Sequence, residues 1–143
     1  MMRALAVALA LFCALPLAAQ TVRFDCAGTV RTEDVFDGGA SQSAEKQWQI
    51  VASFEGGFVR RPPELAAGCV EATVEVCGCE LSSSAIRCRS LGISRDSVEV
   101  VMDFGIDRRS GKMTVAGRRF DPRSGTVVET SGELVCTETE DRQ

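Results

Sequence analysis

The stretch Val70–Leu81, VEATVEVCGCEL, decides how this chain reads. Val70, Ala72, Val74 and Val76 fall on one side of a period-two alternation, with Glu71, Thr73 and Glu75 on the other, the mark of a strand with one buried and one wet face. The apolar parity then switches, because Cys79 and Leu81 are odd-numbered. One extra residue explains the switch, and Gly78 is the natural site for that β-bulge, since glycine adopts positive φ freely. If the chain turns through Ser83 and Ser84, Cys79 faces Cys88, Leu81 faces Ile86 and Glu80 faces Arg87. Thiol meets thiol, apolar meets apolar and acid meets base. Cys79 and Cys88 are therefore expected to form a disulfide at a non-hydrogen-bonded pair, where side chains approach closely.

The same alternation extends outward along the chain. Val22, Phe24, Cys26 and Gly28 share a face in VRFDCAGTV, and Trp48, Ile50, Ala52 and Phe54 share one in KQWQIVASF. Val98, Val100, Met102 and Phe104 line up in SVEVVMDF. Two related pentads, DRRSG at 107–111 and DPRSG at 121–125, each open on Asp and close on Gly, which is turn chemistry. Residues 97–136 thus read as a three-stranded meander. Read instead as calcium loops, the pentads offer one carboxylate each beside arginine, too few for that ion. EDVFDGGASQSAEKQ, 33–47, reads as a mobile connection, and RRPPELAAGC, 60–69, as one short helical turn after Pro63 that stops at Gly68. The expected fold is all-β, with little helix: an antiparallel β-barrel or strongly curved β-sandwich of about seven strands, stapled by disulfides.

The N-terminal MMRALAVALALFCALPLAAQ has Arg3, an apolar run from Ala4 to Leu15 and small residues before Gln20, the pattern of a cleaved secretory signal. Cleavage is expected after Ala19, making 1–19 the signal and 20–143 a single β-domain. Phe12 before Cys13 argues against lipidation there, and no later stretch is apolar enough to span a bilayer, so the mature chain is expected to carry no integral membrane segment. Removing 1–19 from the 143-residue chain leaves 124 residues, enough for one core. It also takes Cys13 from the seven cysteines and leaves six: Cys26, Cys69, Cys77, Cys79, Cys88 and Cys136. An even set in an exported protein implies disulfides and a periplasmic or secreted location.

For the four cysteines other than Cys79 and Cys88, distance is the constraint. An unbroken strand from Cys69 to Cys77 would hold them about 26 Å apart at ~3.3 Å per residue, beyond the ~7 Å that a disulfide spans. On that reading Cys26 and Cys136 pair with Cys69 and Cys77 in one order or the other. The alternative bonds Cys26 to Cys136 and demands a sharp bend between Cys69 and Cys77. A redox or metal-handling role for Cys77 and Cys79 is the remaining possibility. C-G-C within a strand, however, lacks the C-x-x-C spacing and helix N-terminus of thiol oxidoreductases, and the paired motifs of thiolate metal sites.

Composition excludes more chemistry than any motif suggests. The sequence has no His and no Tyr, so a Ser-His-Asp triad and His-ligated zinc are impossible. The formal net charge is −4, becoming −5 when Arg3 leaves with the signal, which argues against nucleic acid or an anionic membrane as partner. Glu71 and Glu75, about 13 Å apart along a strand, are too far for a glycosidase pair. The doublets Arg60-Arg61, Arg108-Arg109 and Arg118-Arg119 read as solvent-facing charge with an anion surface as the functional alternative, and Trp48 reads as a core anchor. No catalytic, cofactor-binding or metal-ligating residue is assigned.

RFDCAG at 23–28 and SGELVC at 131–136 resemble segments of the small β-barrel lysozyme inhibitors of the bacterial periplasm. The resemblance covers a dozen residues and implies an acidic exported barrel that binds a basic enzyme. It assigns no inhibitory residue. The functional expectation is a non-enzymatic binding module for a protein or a small apolar ligand, with an enzyme-inhibitor role and thiol redox or metal handling as alternatives.

Overall fold

The computed structural model describes residues 21–36, 38–66, 69 and 72–140, with the side chains of 72–76 outside that description. The expected signal segment and its cleavage point lie outside the described residues. Eight strands follow in order: β1 (Thr21–Asp34), β2 (Ser41–Ser53), β3 (Phe58–Arg60), β4 (Ala72–Leu81), β5 (Ala85–Ser94), β6 (Glu99–Asp107), β7 (Lys112–Asp121) and β8 (Thr126–Glu140). They form one antiparallel sheet ordered β3-β2-β1-β8-β7-β6-β5-β4. Read as a ring, every strand neighbours its sequence neighbours, and β8 returns beside β1. The sheet is a nearly closed up-and-down barrel whose one seam lies between β3 and β4.

Alternation places the core where the sequence indicates. Val22, Phe24 and Cys26 of β1, Trp48, Ile50 and Ala52 of β2, and Phe104 of β6 are all buried. They join Ile86, Ile106, Met113, Val115 and Leu134 in one apolar cluster. Leu65, fully buried, enters this cluster from a 3-10 turn at Pro63–Ala66 on the connection that crosses the seam. The turn opens at the second proline, Pro63, one residue earlier than expected, and Leu65 N–H donates to the Pro62 carbonyl at 3.0 Å. It ends at Ala66; Gly68, its expected terminator, lies outside the described residues.

The expected all-β, disulfide-stapled barrel of about seven strands is found, with eight strands once the three-residue β3, too short a pattern to register as alternation, is counted. Two expectations need correction. The supposed mobile connection at 33–47 is mostly strand: β1 runs to Asp34 and β2 starts at Ser41, with residues 41–45 exposed. An extension beyond the core has no buried face and so no apolar period. The bulge is not at Gly78, which sits in regular register opposite Arg89; the irregularity falls between Ala72 and Val74. From Val74 onward the register sets Val76 opposite Leu91 and Cys77 opposite Ser90.

The twin pentads are the β6–β7 and β7–β8 turns. In each, the Gly N–H donates to the carbonyl of the Asp four residues earlier at 2.8 Å. Gly111 and Gly125 then take φ of 73° and 70°, which side chains resist. Ser53–Gly57 repeats the arrangement at the β2–β3 turn, with Ser53 in the Asp position.

Candidate functional site

The β4–β5 ladder settles where the thiols of VCGCE go. Cys79 lies directly opposite Cys88 and is bonded to it, with Cα atoms 4.1 Å apart. Cys77, two residues earlier, is bonded to Cys69 across a Cα separation of 6.0 Å. Cys26 and Cys136 stand opposite each other on β1 and β8 and form the third bond, Cα to Cα 3.9 Å. Of the two pairings left open by the sequence, the one that depends on an unbroken strand, Cys26 and Cys136 with Cys69 and Cys77, is therefore wrong, and the alternative that bonds Cys26 to Cys136 and Cys69 to Cys77 is the one found. That reading assumed an unbroken strand from 69 to 77, whereas β4 begins at Ala72 and the Cα atoms of Cys69 and Cys77 lie 6.0 Å apart. Cys77 and Cys79 belong to different bonds, so they are not a redox couple with each other. Among the described residues no group of three metal-ligating side chains gathers.

Of the arginine doublets, one member of two pairs turns inward. Arg61 lies partly buried at the seam, with Nη2 3.6 Å from Cys69 Sγ, Nη1 3.7 Å from Cys79 Sγ and its guanidinium 6.0 Å from the Phe104 ring centre. Loss of hydration holds its pKa below the ordinary arginine value. Arg108 stacks 4.6 Å from the Phe54 ring centre and makes a two-pronged ion pair with Glu138, one bond Nε to Oε2 at 3.1 Å. Arg60, Arg109, Arg118 and Arg119 remain exposed, as read. Trp48 is buried in the core. Glu71 lies outside the described residues, as does the side chain of Glu75.

A recess of about 710 Å³ crosses the outer face of β4–β7. Its outward residues form two cross-strand rows, Gly78, Arg89, Asp103 and Ala116 in one and Glu80, Arg87, Gly105 and Thr114 in the other, on either side of the inward row Cys79, Cys88, Phe104 and Val115. The glycines and Ala116 leave the floor low, and a Cβ placed on Gly78 would meet nothing within 4 Å. Arg89 is held by Asp103 at 3.0 Å. Glu80 and Arg87 oppose each other in register, yet among the described residues they close no ion pair, which leaves both groups available to a ligand. A second depression of about 510 Å³ adjoins it, shares Arg87, Gly105 and Thr114, and runs on to Arg109 and Lys112.

The sequence signals Glu80 and Arg87 through the register around Cys79 and Cys88. It misses Asp103, Gly105, Thr114 and Ala116, because a surface assembled from outward residues of four strands needs every register fixed at once. RFDCAG and SGELVC prove to be neighbours: Asp25 opposes Thr137, Cys26 opposes Cys136 and Gly28 opposes Leu134. The segments that resemble lysozyme inhibitors thus form a disulfide-closed strand pair, not a projecting loop. Comparison with protein-family models, curated proteins and solved structures finds no match for the chain. Its three disulfides accompany an all-β fold in which no described helix is long and apolar enough to cross a membrane.

Proposed function

We propose that the protein is an exported, non-enzymatic binding module that takes up a protein partner through the recess on the outer face of β4–β7. The observation that carries this reading is the contrast between inside and outside. Inward side chains of the described strands pack into one apolar cluster, as in small barrels whose interior is filled. The outer face offers a low floor flanked by Glu80 and Arg87, groups able to pair with a partner's charges. Three disulfides suit a periplasmic or secreted life, and the absence of His removes the commonest general base.

A small apolar ligand is the second reading, favoured by the size of the recess, which falls within the ~300–1,000 Å³ of ligand pockets. An enzyme inhibitor would be a special case of the first. Gly78→Trp separates these readings from a purely structural surface, because it adds bulk to the recess from a position whose Cβ would meet nothing within 4 Å. Native mass spectrometry of protein recovered from its own compartment is expected to show a partner polypeptide that the Gly78→Trp protein lacks, with both proteins melting alike. Retained mass of a few hundred daltons, lost in the variant, would favour the ligand reading. A partner held equally by both proteins would remove the recess from the function.

A further inference from the structure

Three disulfides in one small barrel need not be chemically equivalent, and their surroundings here differ in two respects that govern thiol–disulfide exchange. The first is access to the sulfur under attack; the second is the stability of the thiolate that leaves. Cys26, Cys136 and Cys88 are buried, at 2%, 8% and 3% exposure, which closes the Cys26–Cys136 bond from both sides and the Cys79–Cys88 bond from the Cys88 side. Cys77 is exposed and its partner Cys69 is partly so. Arg61 supplies the second factor, since its guanidinium touches the sulfurs of Cys69 and Cys79. A cation beside a sulfur favours the thiolate and lowers the thiol pKa.

The two factors coincide at one bond. Attack on Cys88 would expel the Cys79 thiolate beside Arg61, but Cys88 is out of reach. Attack on Cys79 would expel Cys88, whose sulfur lies in the apolar core. Attack on Cys77 meets an exposed residue and expels Cys69, whose sulfur lies 3.6 Å from Arg61 Nη2. We propose that Cys69–Cys77 is a thiol-exchange site, opened at Cys77 by a thiolate nucleophile, with Arg61 as the positioning residue that stabilises the departing Cys69 thiolate.

The step balances with two equivalents of external thiol. The first thiolate bonds to Cys77 Sγ, the Cys69–Cys77 bond breaks, and its electron pair stays on Cys69 as a thiolate paired with Arg61. A second thiolate attacks the mixed disulfide, releases Cys77 and leaves as the oxidised thiol dimer. The protein gains two electrons and the external thiol loses them. Because Cys69 belongs to the connection and Cys77 to β4, opening this bond also unties the connection from the strand at the seam.

Timed exposure of the folded protein to reduced glutathione, in parallel with a reduced thioredoxin-type dithiol protein, followed by alkylation and peptide mapping, tests the proposal. Cys69 and Cys77 are expected to label first in at least one arm, through an intermediate carrying the thiol on Cys77, while the other four cysteines stay bonded. Labelling in the glutathione arm identifies small thiols as sufficient; labelling only with the dithiol protein identifies a protein donor. Arg61→Gln is expected to slow the opening roughly three- to tenfold, with Arg61→Lys restoring part of the rate. Should Arg61→Gln fail to fold, Cys77→Ser gives a separate reading: its free Cys69 thiol should ionise below the ~8.5 of an ordinary cysteine. First opening at Cys79–Cys88, simultaneous opening of all three bonds, a mixed disulfide on Cys69, an unchanged rate in Arg61→Gln, or an ordinary Cys69 pKa would each overturn it.

Discussion

The two sides of this barrel are held by different means. On one side β1 lies between β2 and β8 in unbroken antiparallel register, from Thr21 opposite Ser53 to Asp34 opposite Val128, with Cys26–Cys136 bonding strands that already face each other. On the other, among the described residues, the sheet ends at the short β3 and at β4, and the connection between them carries Arg61, Leu65 and Cys69. Backbone ladders need only the right alternation, so they extend over long segments. A seam must be closed by individual side chains, and here those are a buried leucine, a partly desolvated guanidinium and a disulfide. This difference predicts where the molecule is strong and where it yields.

Disulfide removal tests the comparison with the largest effect. In the chain-entropy model, bridging residues 110 apart restricts the unfolded chain by about 4 to 5 kcal/mol, whereas bridging residues 8 apart gives about 2 to 3 kcal/mol. Replacing both Cys26 and Cys136 by Ala is therefore expected to cost more than replacing Cys69 and Cys77, measured by urea denaturation of each double variant. The opposite order would mean that the seam, not the β1–β8 joint, limits global stability.

A smaller effect comes from the twin turns, which share sequence but not surroundings. Gly111 belongs to the side closed by β8: its carbonyl accepts from Cys136 N–H at 2.7 Å, and a Cβ on it would lie 2.8 Å from the Cys136 carbonyl oxygen. Gly125 has the same positive φ with nothing within 4 Å of its Cβ position. Gly125→Ala is expected to cost only the left-handed penalty, about 1 to 2 kcal/mol, and Gly111→Ala measurably more, because backbone must move as well. Equal losses in thermal denaturation would show that the β6–β7 turn can lift from β8 freely.

What could be read from sequence divides along the same line. The alternation of Val22, Phe24, Cys26, Trp48 and Ile50 announces the laddered side, and the Asp-to-Gly spacing announces two of its turns. Cys79 opposite Cys88 was legible because three complementary pairs agree on one register. The third turn, SFEGG at 53–57, carried the same signal in weaker form, with Ser53 standing for Asp and Gly57 taking the positive φ. The seam was legible only as one of two alternatives, for a physical reason. Pairing of Cys69 with Cys77 depends on where β4 begins, and an apolar alternation that runs through Val70, Ala72 and Val74 conceals that start. Arg61 was equally hidden: a doublet beside two prolines looks solvent-facing, and only the third dimension puts one of its members between two sulfurs. The recess fared the same way, since Gly105 and Ala116 acquire meaning only as neighbours of Arg87 and Arg89.

The smallest expected effect sharpens the contrast between the two turns still further, because their aspartates are charged for different reasons. Asp107 has its pKa lowered chiefly by the backbone N–H groups of Arg109 and Ser110, which donate to Oδ1 at 2.9 and 3.3 Å. Asp121 is lowered first by the Arg123 side chain, which donates to both carboxylate oxygens at 3.4 Å, and next by the Arg123 backbone N–H. In both cases the folded state favours the charged form. The stability each carboxylate contributes is therefore complete above its unfolded pKa, about 3.9, and is lost as the pH falls through the lower folded value. Salt distinguishes them, since mobile ions screen an exposed guanidinium but leave a short, aligned backbone hydrogen bond largely intact. In a carboxyl-carbon NMR titration repeated at low and high ionic strength, the Asp121 midpoint should climb toward the ordinary carboxylate range while that of Asp107 stays low. Asp121→Asn should remove the salt-sensitive part of the acid transition, and Asp107→Asn the part that salt does not touch. If both midpoints rise together with salt, the Asp107 turn is held by Arg109 and not by its own backbone, and the two pentads are electrostatically the same device.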